Sequence, residues 1–320
     1  MEKSHKIGLG LAALGRPSYI NLGHCKDITQ TSKSIMEQKT HAMLNIAWEQ
    51  GVRYFDTARS YGLAEKFLST WLEKNPVRAK QSIISSKWGY IYTANWNKHA
   101  DIHEIKDHSE ENLSNQWRET SALLREHLDV YLIHSATFDS GVLDDISVLE
   151  KLHKLKDQGI RIGASISGEQ QSALLDYAMN ITVNDAPLFN AYQATFNILE
   201  TSATTQLQKA HNQGALIIAK ECLANGLLTT RNSFKDSSYI EHLHNMASQY
   251  SASIDALGMA FVAQQDFVDI ALSGASTGSQ LQSNLTANDL SLSAKSIENL
   301  FNLSQPPRQY WNNRSKLPWN

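Results

Sequence analysis

Cysteine is nearly absent: Cys25 and Cys222 are the two among 320 residues, and they stand far apart. A framework of several disulfides is excluded, at most one bridge could form, and a reducing, cytoplasmic setting is expected. Long apolar runs are absent too. Nothing approaches the roughly 20 apolar residues of a membrane-spanning helix. The apolar stretch at 7–14 is broken by Gly8 and Gly10 and leads into Gly15-Arg16 rather than a small-residue cleavage site, so no secretory leader is expected. Charge of one sign is lacking, with a net charge of −3 and 19% charged residues, which argues against a nucleic-acid or anionic-membrane partner. The twelve histidines are scattered, with no H-E-x-x-H and no Cys/His cluster, so no metal site is expected. No low-complexity or linker segment divides the chain, which is read as one domain over 1–320 with a tail at 306–320.

What is present is organised around Gly51-Val-Arg-Tyr-Phe-Asp56-Thr-Ala-Arg-Ser-Tyr61-Gly62. A glycine closes a helical pattern, a short apolar run follows, and the run stops at a carboxylate. The joint recurs as Gln158-Gly159-Ile-Arg-Ile and as Gln213-Gly214-Ala-Leu-Ile-Ile. Glycine suits a helix end because it enters the left-handed conformation cheaply. Three such joints imply repeated β-α units around a parallel sheet.

Between them, Ala64, Phe67, Leu68, Trp71 and Leu72 form one apolar helical stripe. Further helices are expected at 37–50, 107–128 (opened by an Asp107/Glu110 capping pair), 143–158, 169–179, 200–213, 239–250 and 254–265. Ile146, Leu149, Leu152 and Leu155 are expected on one side of the 143–158 helix. Strands are expected at 7–14, 52–55, 82–86, 130–133, 160–164, 190–193, 216–219 and 269–273. Eight strands with helices between them imply an α/β fold, a (β/α)8 TIM barrel with long βα loops. Residues 16–37 read as one long loop, and 88–106 as another.

The residues that follow these runs are polar where folding alone does not require it. They are Asp56, Lys87, His134, Ser165, Gln193, Lys220 and Ser273-Gly274, with Gly10 after the first strand. Barrel enzymes build their sites at this face. Tyr61, Lys87 and Asp56 could form a proton-donating chain, because an ammonium beside a phenol favours the phenolate and a carboxylate holds the ammonium. A neutral His134 could orient a carbonyl oxygen and stabilise charge growing on it. Such a set suits a carbonyl that receives a hydride from a cofactor.

Here the chain resembles an aldo/keto reductase. The resemblance runs from Ile7-Gly-Leu-Gly10 to Ser273-Gly-Ala-Ser-Thr277 and rests on Asp56-Thr57-Ala58-Arg59-Ser60-Tyr61-Gly62, Ile84-Ser-Ser-Lys87 and Asp129-Val-Tyr-Leu-Ile-His134. It implies reduction of an aldehyde or ketone with NADPH, or NADH. Tyr61 would be the acid, Asp56 and Lys87 its tuning pair, and His134 the positioner. It further implies cofactor contacts from Gly10, Asp56, Ser165, Gln193, Lys220, Gly274, Ser276, Gln280 and Asn284. Two positions depart from the pattern. Ile166 stands where an asparagine usually holds the carboxamide, and Lys220 stands where an aromatic usually stacks. No Lys or Arg near Gly274 addresses a 2′-phosphate, which keeps NADH open. The alternative reading is a cofactor-binding, redox-responsive regulatory subunit with little turnover.

The partner is expected to be a small carbonyl compound. Trp88 and Tyr92, with Tyr90 and Trp96, either line its pocket or pack their own loop down. The tail bearing Tyr310, Trp311, Arg314 and Trp319 either covers the site or packs on the outside. Cys222 is expected to be a small buried thiol.

Overall fold

The computed structural model describes residues 6–232 and 238–320, with the backbone alone for Ser238. Eight parallel strands close into a barrel: β1 (Ile7–Gly10), β2 (Tyr54–Asp56), β3 (Ile83–Trp88), β4 (Leu128–Ala136), β5 (Arg161–Ile166), β6 (Ala191–Thr195), β7 (Leu216–Lys220) and β8 (Ile270–Ser273). Spatial order follows chain order, and β8 returns to β1 with Ile7 opposite Ala271 and Leu9 opposite Ser273. This is the expected (β/α)8 architecture.

The twofold alternation of side chains along a strand sorts the barrel. Tyr54, Val130, Leu132, Ala191, Ile218 and Leu272 pack together as a small cluster inside it. Their strand neighbours Phe55, Tyr131, Ile133, Tyr192 and Ile217 belong to the large outer core beneath the helices. One further step of two along the same inward phase leads from Tyr54 to Asp56, from Leu132 to His134, from Ala191 to Gln193 and from Ile218 to Lys220. The apolar plug and the polar layer above it are thus one pattern. Gly163 on β5 is required by close approach: a Cβ there would lie 2.1 Å from the Ala191 carbonyl oxygen of β6.

The three repeated joints share one conformation, with φ of 87° at Gly51, 90° at Gly159 and 85° at Gly214. Several boundaries differ from expectation. Pairing of β1 stops at Gly10, and Leu11 N donates to the Asp56 carbonyl as the chain turns away. The second helix-bearing segment begins earlier, at Lys33–Glu49, capped by Ser32, whose Oγ accepts from Ile35 N. Met36 is the one fully buried residue of its first turn, so no apolar spacing announces it. The 16–37 stretch also contains a single turn, His24–Asp27.

Ser109, rather than an Asp107/Glu110 pair, caps the helix Glu110–Leu124. Ile146 is 71% exposed at the first residue of its helix, while Val148, Leu149, Leu152 and Leu155 are buried. Strand β4 runs on past His134 to Ala136. Residues 88–106 hold an antiparallel hairpin, Tyr90–Tyr92 with Glu104–Lys106. The tail forms the helix Pro307–Ser315, anchored by buried Tyr310, whose hydroxyl accepts from Asn197 Nδ2 at 3.0 Å.

Candidate active site

Asp56, Lys87 and His134 meet at the carboxyl ends of β2, β3 and β4, joined by Tyr61 from the loop after β2. That loop is pinned to its surroundings: Thr57 N donates to Ser85 O, Arg59 N to Lys87 O, and Leu63 N to Gly15 O. Arg59 also pairs with buried Glu65, which accepts from Ser86 and Thr120. Gly15 lets the first loop lie directly on this turn, since a Cβ there would be 2.2 Å from the Tyr61 carbonyl. Tyr61 is therefore positioned by backbone as much as by its side chain.

Lys87 Nζ donates to Asp56 Oδ2 at 2.5 Å and to Thr57 O at 2.9 Å. Asp56 Oδ1 accepts from Ser85 Oγ at 2.7 Å and from Gln193 Nε2 at 3.0 Å. Lys87 reaches Tyr61 over the ring, 4.8 Å from its centroid. The Tyr61 and His134 rings meet edge to face at 5.4 Å.

Electrostatics here run opposite to the expectation that Lys87 favours a phenolate. Burial, and then the Asp56 carboxylate, hold the Tyr61 phenol well above its ordinary pKa, against a smaller lowering by Arg16. Burial, reinforced by Lys87, Lys220 and Arg16, holds His134 well below the ordinary imidazole value. At neutral pH the site thus holds a protonated phenol beside a neutral imidazole, both fit to donate a hydrogen bond to one oxygen.

Asp56, Tyr61 and His134 open into a cavity of about 830 Å³, with Lys87 buried behind them. Gly10, Gln193, Lys220, Gly274, Ser276, Gln280 and Asn284 line it, so it collects most of the positions implied for a cofactor. Ser276 Oγ and Gln280 Nε2 both donate to Asp27, at 2.9 Å each, and Arg231 closes on the same carboxylate at 2.5 and 2.6 Å. Asn284 pairs with Ser273 Oγ at 2.8 Å. Ser165 is fully buried on β5 opposite Gln193 and does not line the cavity; its Oγ has no hydrogen-bond partner among the described residues. Asn225 Oδ1, in the cavity wall, is likewise without one. A cavity of this size with so many polar groups in its wall suits a ligand rich in donors and acceptors, as a dinucleotide is.

Two expected pocket residues are displaced. Trp88 points into the outer core, fully buried and edge-on to His108 at 5.7 Å. Tyr92 accepts from Trp96 N and packs its own loop. Tyr90, two residues from each along the chain, is the one that lines the cavity, 5.0 Å from the His134 ring. The hairpin twist, invisible in sequence, selects among them.

Other contributors carried no sequence signal. Arg16 lies buried among the rings of Tyr19, Tyr61 and Trp319, at 4.9, 5.2 and 4.7 Å, and pairs with Glu104 at 2.7 Å. His108 Nε2 bonds the His134 carbonyl at 2.9 Å and fixes the end of β4. A lone Arg in a polar loop, or a His at a helix start, has no periodicity to expose it. The tail covers the cavity: Trp311, Arg314 and Trp319 line it, Trp319 stacks on His103 at 4.3 Å, and Arg314 pairs with Glu221 at 2.6 Å. Buried Cys222 has its thiol pushed up to about 12 by burial, which leaves it unreactive.

A closed parallel barrel gathers Asp56, Lys87, His134 and Tyr61 at the carboxyl ends of its strands, the face where barrel enzymes carry their sites. The sequence profile of the Aldo/keto reductase family matches residues 6–304, and the chain belongs to that family. Membership places it among oxidoreductases.

Relatives include Protein tas of Escherichia coli K12, 24% identical over 303 residues, spanning 80% of this chain and 86% of that protein. A D-threo-aldose 1-dehydrogenase of Pseudomonas sp is 24% identical over 250 residues, 72% of each. An NADH-specific methylglyoxal reductase of E. coli K12 is 24% identical over 279 residues, 76% of this chain and 80% of the relative. An aldo-keto reductase of Bacillus halodurans, solved in its holo form, shares the fold with a TM-score of 0.70 at 19% identity, covering 94% and 92% of the two chains. Among the described residues no helix is long and apolar enough to cross a membrane, and no His/Cys/Asp/Glu group is arranged to hold a metal ion.

Proposed function

We propose that this chain reduces an aldehyde or ketone to an alcohol with NADPH or NADH, and that Tyr61 supplies the proton. The observation that carries the reading is the pairing of a protonated, buried Tyr61 with a neutral His134 across 5.4 Å. Gln193, Ser276, Gln280 and Asn284 would hold the dinucleotide along the cavity, with Ser165 behind them, and Gly10 and Gly274 leave it room. When bound, the reduced nicotinamide supplies the hydride.

His134 and Tyr61 both donate to the substrate oxygen and polarise the carbonyl. As charge grows on that oxygen, Tyr61 passes its Oη proton there. An alkoxide is basic enough to take a proton even from a phenol of raised pKa. The Lys87 ammonium, held by Asp56, lies over the Tyr61 ring and offsets part of the charge on the phenolate that remains. The raised phenol pKa favours reduction, because oxidation requires the phenolate first. Tyr90, Trp311 and Trp319 shape the mouth for a small carbonyl compound. The relatives named for methylglyoxal and for an aldose support this substrate class.

Titration with NADPH and NADH by intrinsic Trp fluorescence, in wild type and Tyr61→Phe, tests the reading. Binding should survive the substitution, and turnover on a carbonyl panel should fall by about 10²-fold or more. Binding without wild-type turnover on any carbonyl would favour a regulatory, cofactor-sensing role. Failure to bind either dinucleotide would overturn the proposal.

A further inference from the structure

Three of the cations around the reaction centre are paired with carboxylates, and Lys106, on the cavity wall, donates to Ser135 O and Thr137 Oγ1. Asp56 neutralises Lys87, Glu104 neutralises Arg16, and Glu221 neutralises Arg314. Lys220, at the end of β7 on the same inward phase as Gln193 and His134, has no carboxylate partner among the described residues. Its Nζ donates to a neutral hydroxyl, Ser167 Oγ. Glu221 is next to it in the chain but is turned to Arg314, which it receives through both Nε and Nη2.

The groups whose charges act on Lys220 are Glu221 from its own strand end, Arg314 from the tail helix, Lys87 from β3 and Asp56 from β2. Lys220 in turn acts on His134 of β4. Among these five groups three cations face two carboxylates, which leaves one positive charge, half-buried beside the atoms that react.

We propose that Lys220 sets the redox preference of the site, weakening binding of the oxidised dinucleotide relative to the reduced one. The inference rests on the function proposed above. A nicotinamide that gives its hydride, with both electrons, to the carbonyl carbon changes from a neutral ring to a cationic one. That ring must lie within reach of the carbon whose oxygen sits on Tyr61 and His134, so it shares the cavity with the Lys220 ammonium. Phosphates and ribose are identical in the two redox forms, and their interactions cancel in the comparison. What remains is a like-charge repulsion felt by the oxidised form alone. Lys220 therefore biases the site toward hydride donation and speeds departure of the spent cofactor.

The charge on Lys220 is itself titratable. Burial is the first cause that lowers its pKa, to about 8, with Arg314 and Lys87 acting in the same sense against Glu221 and Asp56. Below that value the ammonium repels the oxidised ring; above it the neutral amine does not. His134 lies far below this window and Tyr61 far above it.

The test is direct binding without turnover: fluorescence or calorimetric titration of each form of NADPH/NADP⁺ and NADH/NAD⁺ between pH 6 and 10. Wild type, Lys220→Met and Lys220→Arg are compared. In wild type the ratio of oxidised to reduced Kd should fall through about pH 8 as the lysine loses its charge. In Lys220→Met the ratio at pH 6.5 should drop roughly 10- to 100-fold, the size of a unit-charge repulsion across several ångströms of partly buried protein. Lys220→Arg should keep the high ratio and lose its pH dependence. A ratio in Lys220→Met within twofold of wild type, or a wild-type ratio flat across the range, overturns the proposal. If Lys220→Met fails to fold, the wild-type profile and Lys220→Arg decide it. Failure of all proteins to bind either form refutes instead the dinucleotide reading beneath it.

Discussion

Replacing Lys87 with Met isolates what the buried Asp56–Lys87 pair does. The two side chains are 4% and 0% exposed and touch at 2.5 Å. Methionine fills nearly the same stem volume, so cavity formation is minor and the effect is electrostatic. Asp56 is then left buried with Ser85 Oγ and Gln193 Nε2 as its remaining donors. Breaking a buried pair by removing one partner costs about 3–5 kcal/mol, and the two surviving donors place the cost at the lower end, about 3 kcal/mol. Lys87→Met/Asp56→Asn removes the stranded charge while keeping the shape and the hydrogen-bonding atoms. It should return to within about 1 kcal/mol of wild type.

Urea unfolding at pH 7 measures stability, and carbonyl reduction measures activity, which should stay depressed by about 10²-fold in both variants. Stability separates cleanly from function only if the pair matters for both. A Lys87→Met protein as stable as wild type, or a double variant no more stable than the single one, would refute this account of the site.

Three further outcomes follow from other contacts. Asp27 ties up Ser276, Gln280 and Arg231, the donors that a 2′-phosphate would need. Asp27→Asn should therefore shift the NADPH-to-NADH affinity ratio toward NADPH by about tenfold, read from Kd values; an unchanged ratio would place the adenosine end elsewhere. Burial lowers the His108 imidazole to about 4, so the folded protein binds fewer protons than the unfolded chain below pH 6.5. Its contribution is complete above about pH 6.5 and is lost as pH falls toward 4, amounting to about 3 kcal/mol. His108→Gln should flatten urea stability across that window, and an unchanged slope would contradict the assignment. Trp319→Ala removes a ring stacked on His103 and set against Arg16. KM for aromatic aldehydes should rise several-fold with kcat little changed, whereas a matching fall in kcat would mean that the tail positions Tyr61 itself.

The barrel was legible because its cause is local and repeated. Helix end, glycine and apolar run recur at Gly51, Gly159 and Gly214, and the three glycines adopt one left-handed conformation because that geometry ends a helix and starts a strand. Asp56, His134, Gln193 and Lys220 were legible for the same reason. A polar residue two positions beyond an inward apolar one continues the strand's alternation into the cavity. Placement off the strands was not legible. Trp88 and Tyr90 are two residues apart, yet one is sealed in the outer core and the other faces the cavity, because the turn after β3 reverses the chain into a hairpin. Arg16, Asp27, His108 and Arg231 act through partners dozens to hundreds of residues away, and no window of sequence contains both ends of such a contact.

The chain's own residues determined which chemical groups are available and that a closed parallel sheet would present them at one face. Tertiary structure alone decided their protonation. Whether Tyr61 is a phenol or a phenolate depends on how much water, and which charges, lie around it. Burial and the Asp56 carboxylate outweigh the lowering by Arg16. Propensity and periodicity act between near neighbours, whereas desolvation is set by every atom that closes over the site, including a tail helix contributed from the far end of the chain.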